Sequence, residues 1–175
     1  MQNPHPLLVH YPIAFLVVFA VSTLLLLVRP RPGLDRFARA CLFVGTAAAA
    51  LTVISGFLAE QNVAPVRAAA EPLTTHRTAG YVVLATACAL TALAIVEPRL
   101  AARAGLLRAT RSIGALVLLA ALFLAGKEGG ELVFEHGVGT RMTAPGGPLH
   151  DKSAPPSAAP QATGDAPAPS GKDFR

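Results

Sequence analysis

Histidine is the residue type in this sequence best suited to chemistry, because neutral imidazole binds transition metals and haem iron. Five histidines occur, and His150 among them lies in a proline-rich stretch near the end of the chain. The other four lie beside long apolar segments and are His5, His10, His76 and His136. These four are the candidate ligands, and whether they meet depends on the segments that carry them.

A second group of ionisable residues lies at the end of the last apolar segment. Glu128, Glu131 and Glu135 follow one another at spacings of three and four residues, which places them along one face of a helix. Lys127 is spaced to form an ion pair with Glu131. Such residues are costly at membrane depth and often functional there. They are interpreted either as partners that orient the histidines or carry protons, or as a helix becoming polar where it leaves the membrane.

The apolar segments predict a membrane protein. Only 14% of the residues are charged, compared with about 25% in soluble domains. Four nearly uncharged segments each approach the roughly 20 residues that cross a bilayer as a helix, and they cover residues 11–28, 37–58, 79–96 and 113–132. We therefore predict an all-α, four-helix transmembrane bundle over residues 1–141. Residues 142–175 are rich in proline and alanine and are predicted to form a disordered tail.

The arginines predict the orientation of the bundle. Eight of them flank the connections between segments one and two and between segments three and four: Arg29, Arg31, Arg36, Arg39, Arg99, Arg103, Arg108 and Arg111. Cytoplasmic connections are enriched in Lys and Arg, which places both termini and all four histidines on the external, periplasmic side of an inner membrane. Nucleic-acid binding is excluded, since the basic residues are divided between two short connections without interleaved aromatic residues.

The histidine positions indicate which pairs could share a metal. His10 and His76 lie near predicted helix N-termini, where the helix dipole disfavours a protonated imidazole, so they are the first predicted pair. His5 and His136 are the second pair or a support, and Arg77 is placed to meet a haem propionate. His10, His76 and His136 are the predicted ligands of haem iron, copper or zinc. A single histidine at this depth more often lies at the lipid headgroups or caps a helix.

Two stretches carry a resemblance to a known family. Residues 3–14 read NPHPLLVHYPIA and residues 129–139 read GGELVFEHGVG. Together with His76 before a helix of small residues, they resemble bacterial membrane proteins of the domain of unknown function 2231 family. The resemblance spans about residues 3 to 140 and implies a four-helix integral membrane domain. In some members the domain is joined to Rieske or cytochrome c modules, which implies a redox setting.

Three functions are compatible with these features. The first is a cytochrome-b-like electron-transfer component that binds haem b and exchanges electrons with quinone or a separate external redox protein. The second is a membrane protein that binds or transports copper or zinc, and the third is a structural or assembly protein without a cofactor. No Cys-x-x-Cys-His motif is present, so a haem would be non-covalent. Hydrolase and nucleotide-binding motifs are also lacking, so an enzymatic role is limited to a quinone-linked redox subunit.

Overall fold

The protein is an all-α bundle with four long helices. The structure is a computed structural model that describes residues 4–61 and 70–138. Its helices are α1 (His5–Leu8), α2 (His10–Val28), α3 (Pro32–Glu60), α4 (Ala70–Val96) and α5 (Ala104–Phe134). Two short 3₁₀ turns, Glu97–Arg99 and Ala101–Arg103, connect α4 to α5, and the described ranges contain no strand. Four spans are long and apolar enough to cross a membrane, with α1 and α2 forming one of them. The predicted four-helix architecture is confirmed.

Three helices extend beyond the apolar segments that predict them. Helix α3 begins at Pro32, α4 at Ala70 and α5 at Ala104, because the polar turns before the apolar residues are also helical. Proline suits the first turn of α3, where its missing N–H leaves no hydrogen bond unmade. The earlier start of α4 places His76 in the second turn. The dipole argument for this histidine is therefore weaker than its predicted terminal position implies, since the effect fades beyond the first turn.

The four long helices form a ring in chain order, and the last, α5, packs back against the first, α2. The pairs α2–α3 and α4–α5 have the most extensive contacts, and α3–α4 and α2–α5 close the ring. Leu16, Phe19, Leu42 and Leu118 are fully buried at its centre. Gly45 allows close approach within the first pair, because a Cβ built there would lie 2.6 Å from Cδ2 of Leu16. Small residues serve the same purpose in other membrane bundles.

The antiparallel order gives the bundle two chemically different ends. We call the end with α1, the start of α4 and the final turns of α3 and α5 the histidine end. The other end holds the first turns of α3 and α5 and the 3₁₀ turns after α4, and we call it the arginine end. His5, His10, His76 and His136 all belong to the histidine end. The predicted tail over residues 142–175, with His150, lies outside the described residues.

Candidate metal centre at the histidine end

His76 is held by α5, the helix paired with its own. Its Nδ1 atom lies 2.9 Å from the backbone carbonyl oxygen of Ala125. A carbonyl oxygen only accepts hydrogen bonds, so Nδ1 carries the hydrogen and donates it. The basic nitrogen of the neutral ring is therefore Nε2. A backbone carbonyl that fixes the tautomer in this way is the usual partner of a metal-binding histidine.

His5 is held by α3 in the same manner. Its Nδ1 atom lies 3.2 Å from the carbonyl oxygen of Thr52 and 3.0 Å from Oγ of Ser55. Because Ser55 donates its own hydroxyl to Thr52 at 2.8 Å, both oxygens are available as acceptors for Nδ1–H. Thr52 Oγ1 in turn donates to the carbonyl of Leu8 at 3.2 Å, which fastens α1 to α3. The basic nitrogen of His5 is again Nε2.

The two half-buried rings meet across the bundle. The centroids of His5 and His76 are 6.4 Å apart, and the ring planes are nearly perpendicular at 89°. Two imidazoles on opposite sides of one metal ion have centroids about 6 Å apart, given metal–nitrogen bonds of about 2.0–2.1 Å and roughly 1 Å from nitrogen to ring centre. The observed separation therefore fits a centre with one imidazole ligand from α1 and one from α4.

Two glycines leave room for these rings. A Cβ built on Gly56 would lie 2.9 Å from Cε1 of His5, and one built on Gly129 would lie 3.0 Å from Cε1 of His76. Any side chain at either position would displace the ring beside it. Among the glycines described near the end of α5, Gly129 alone has such a close neighbour, since a Cβ on Gly126 or Gly130 would meet nothing within 4 Å.

The structure differs from the predicted pairing of His10 with His76. The ring that meets His76 belongs to His5, while His10 is exposed and has no side-chain hydrogen bond or ring contact with residues 4–61 and 70–138. Positions five residues apart on a helix point about 140° apart, so His5 and His10 cannot both face the bundle. His136 lies beyond the end of α5 at Phe134, and it is grouped with Glu131 and Glu135 rather than with the two rings.

Comparison with known proteins identifies the family. The family model described as "Predicted membrane protein (DUF2231)" matches residues 2–142 of the chain. The chain belongs to the DUF2231 family. No curated protein and no solved structure matches it. Family membership confirms the resemblance carried by the two terminal motifs, and it assigns the chain to the membrane without assigning an activity.

In this DUF2231 chain the carboxylates near the end of α5 form two groups. Lys127 donates to Glu128 at 3.1 Å and to Glu131 at 3.4 Å, so the predicted Lys127–Glu131 pair is present. Glu131 also forms a trio with Glu135 and His136, whose potential ligand atoms all lie within 4.8 Å of one another. No hydrogen bond joins a described carboxylate to an imidazole, and the predicted orienting role is taken by the backbone carbonyls of Thr52 and Ala125.

Arg77 serves a different partner from the one expected. It forms a close ion pair with Glu60, which joins the start of α4 to the end of α3. Both side chains are partly exposed. Its guanidinium is thus engaged by a carboxylate of the bundle and holds two helices together beside the histidine pair.

A cluster of four charged residues at the arginine end was not predicted from the sequence. Arg111, with 8% of its side chain exposed, donates to Asp35 at 2.8 Å and to Glu97 at 3.4 Å. Arg39 binds the same two carboxylates, at 2.8 Å for Asp35 and closely for Glu97, and donates to the carbonyl of Ala94 at 2.7 Å. The cluster connects α3, α4 and α5. Sequence alone shows these arginines only as part of a basic region.

An apolar groove on the outside of the bundle runs between α4 and α5. It is lined at the histidine end by Thr74, Thr75 and Thr78 and further along by Ala79, Val117 and Leu124. Thr74 and Thr78 donate their hydroxyls to carbonyls one turn back on their own helix. Because those hydroxyls are already bonded, the groove offers mainly carbon atoms, which suits a lipid acyl chain.

Proposed function

We propose that this DUF2231 protein binds one transition-metal centre between His5 and His76 and acts as a membrane electron-transfer component. The centre is haem iron or a copper ion, and the chemistry shared by both is coordination by two neutral imidazole nitrogens. When bound, such a centre supplies reversible one-electron transfer. The protein supplies the two ligands, fixes their tautomers and surrounds them with helices.

The observation that carries this proposal is the paired arrangement of two tautomer-fixed imidazoles. A lone histidine at a helix end often has only a capping or interfacial role. Here, two histidines from distant segments each donate Nδ1–H to a backbone carbonyl of a neighbouring helix. Both rings then have Nε2 as the coordinating atom, and their 6.4 Å separation suits one metal between them. Packing alone does not require the same tautomer in both rings.

The trio of Glu131, Glu135 and His136 supports metal binding less well. Glu135 is exposed, and all three residues come from the end of one helix. Two carboxylates and one imidazole at a water-accessible helix end are as readily explained by a polar helix terminus. The interhelical pair is the better candidate, because bundle cofactor sites are built from side chains on facing helices.

The proposed setting follows from the arginines. The arginine end faces the cytoplasm, because it holds both arginine-rich connections, and the histidine end faces the periplasm of the inner membrane. A metal centre at the histidine end would exchange electrons with quinone in the bilayer or with a separate external redox protein. The lipid bilayer surrounds the four apolar spans.

Spectroscopy and metal analysis of the full chain test the proposed centre. The protein is purified from membranes in mild detergent and, in parallel, incubated with haemin, Cu(I) or Zn(II) before excess ligand is removed. We expect one centre per chain, because the structure offers one His5–His76 pair. A Soret band that shifts on reduction identifies haem, and one bound copper without a Soret band identifies the ion. Zinc alone would contradict the electron-transfer role, and no bound metal in any arm would contradict the site.

Reporter fusions test the proposed orientation. Fusions after Pro32 and after Arg103 are expected to show cytoplasmic activity only, because both positions lie at the arginine end. A fusion after Gly146 is expected to show periplasmic activity only. Each position is fused separately to a phosphatase, which reports a periplasmic location, and to a fluorescent protein, which reports a cytoplasmic one. A cytoplasmic signal after Gly146 would place the histidine pair on the inner side.

A further inference from the structure

The bundle consists of two helix pairs with the same internal arrangement. The first hairpin is α1–α2 with α3, and the second is α4 with α5. The two hairpins are equally extensive in their internal contacts, and the two interfaces between them are also alike. In a ring of this order, a half turn about the bundle axis exchanges α2 with α4 and α3 with α5.

The half turn relates the surroundings of the two histidines. In each hairpin a histidine of the first helix donates Nδ1–H to a carbonyl of the second helix, and a glycine four residues after that carbonyl touches Cε1. The set in the first hairpin is His5, Thr52 and Gly56. The set in the second is His76, Ala125 and Gly129. The two sets share the same spacing of acceptor and glycine, and they differ in that His5 also contacts Oγ of Ser55.

Contacts away from the histidines are similar in the two hairpins but less closely matched. In the first hairpin Leu16 packs on Gly45, and in the second Leu90 packs on Gly114, with Cδ2 at 2.6 Å and 2.7 Å from a built Cβ. At the arginine end, Arg39 of α3 and Arg111 of α5 each bind both Asp35 and Glu97. The two arginines correspond, but their carboxylates do not, since Asp35 lies on α3 and Glu97 in the turn after α4. The leucine contact is also about one helical turn farther from its histidine in the second hairpin. The repeat is therefore closest at the histidine end.

We infer that the two hairpins are equivalent half-sites, that the ligand lies on the pseudo-two-fold axis between His5 and His76, and that Gly56 and Gly129 are matched positioning residues. Each glycine lets its ring settle against the second helix, where the carbonyl one turn earlier fixes Nδ1–H. A methyl group would push the ring away from that carbonyl. The identity of the ligand rests on the proposed metal centre, whereas the equivalence of the half-sites does not.

Histidine nitrogen NMR on the metal-free full chain tests the half-sites independently of metal. The protein carries ¹⁵N-labelled histidine, and spectra are recorded at alkaline pH, where the imidazoles are neutral. We expect His5 and His76 both to show the Nδ1–H tautomer. Gly129→Ala should perturb the hydrogen-bonded Nδ1–H of His76 and spare His5, and Gly56→Ala should do the reverse. Gly126→Ala and Gly80→Ala are matched controls, since a Cβ at either meets nothing within 4 Å.

Metal binding by the same variants tests the positioning role. Loss of an outer partner of a metal-binding histidine costs about 10–100-fold in affinity, and we expect Gly56→Ala and Gly129→Ala to cost similar factors. An Nε2–H tautomer for either ring in the wild-type chain would overturn the inference, without any variant having to fold. So would unequal effects of the two substitutions in folded protein. Two Nδ1–H rings in a chain that binds no metal would leave the half-sites standing and remove the proposed function.

Discussion

His76→Ala is expected to reduce bound metal or haem to background, with an affinity loss above about 100-fold. Changing only an outer partner of a ligand costs about 10–100-fold, and removal of one of two imidazoles costs more. His5→Ala should have the same effect, because the two rings occupy equivalent positions 6.4 Å apart. Metal content per chain and the Soret absorbance of protein purified from membranes measure the loss.

His10→Ala provides the matched control. His10 is exposed and lies five residues from His5 on nearly continuous helix, so its removal should leave metal content unchanged. Free imidazole should restore metal to His76→Gly, since the vacated space lies between Gly129 and His5. Full metal content in His76→Ala, or its loss in His10→Ala, would contradict the pairing seen in the structure.

The fold follows from the sequence because lipid restricts the choices. Each of the four segments has about the length of a helix that crosses the bilayer. A helix, whose backbone hydrogen bonds are all internal, is the spanning structure consistent with that length. The helix starts are less predictable, because polar first turns such as that of α3 at Pro32 lack the apolar signal but are helical all the same. The distribution of arginines locates the arginine end, yet it gives no indication that Arg39 and Arg111 form ion pairs.

The candidate site was only partly predictable. The sequence places four histidines at one end of the bundle, but the choice between His5 and His10 depends on which one faces the interior. That choice is made by α1, a single turn that packs on α3 through Thr52. A usable signal was present in the glycines, since Gly56 and Gly129 occupy corresponding depths near the ends of α3 and α5. Their contacts with imidazole rings become visible only when the helices are packed.

The charge cluster at the arginine end is expected to contribute strongly to stability. Removing one partner of a buried ion pair costs about 3–5 kcal/mol, because the opposite charge is left without compensation. Arg111 is the most deeply buried of the four side chains, at 8% exposed, and it contacts two carboxylates. Arg111→Met would leave Asp35 and Glu97 to share Arg39 alone. We expect the free energy of unfolding to fall by about 3 kcal/mol, at the lower end of that range. The loss is at the lower end because Asp35 is 29% exposed and water partly compensates its charge.

Unfolding by sodium dodecyl sulfate in mixed micelles, followed by circular dichroism, measures this change. Arg108→Met is the matched control, because Arg108 is exposed one turn earlier on α5 and forms no ion pair with any described residue. Asp35→Asn added to Arg111→Met should recover more than half of the loss, since Arg39 and Glu97 then remain as a neutral pair. Such non-additivity is the signature of coupled charges. A loss for Arg111→Met within about 0.5 kcal/mol of the Arg108→Met value, the range of ordinary surface changes, would show that the cluster stabilises nothing.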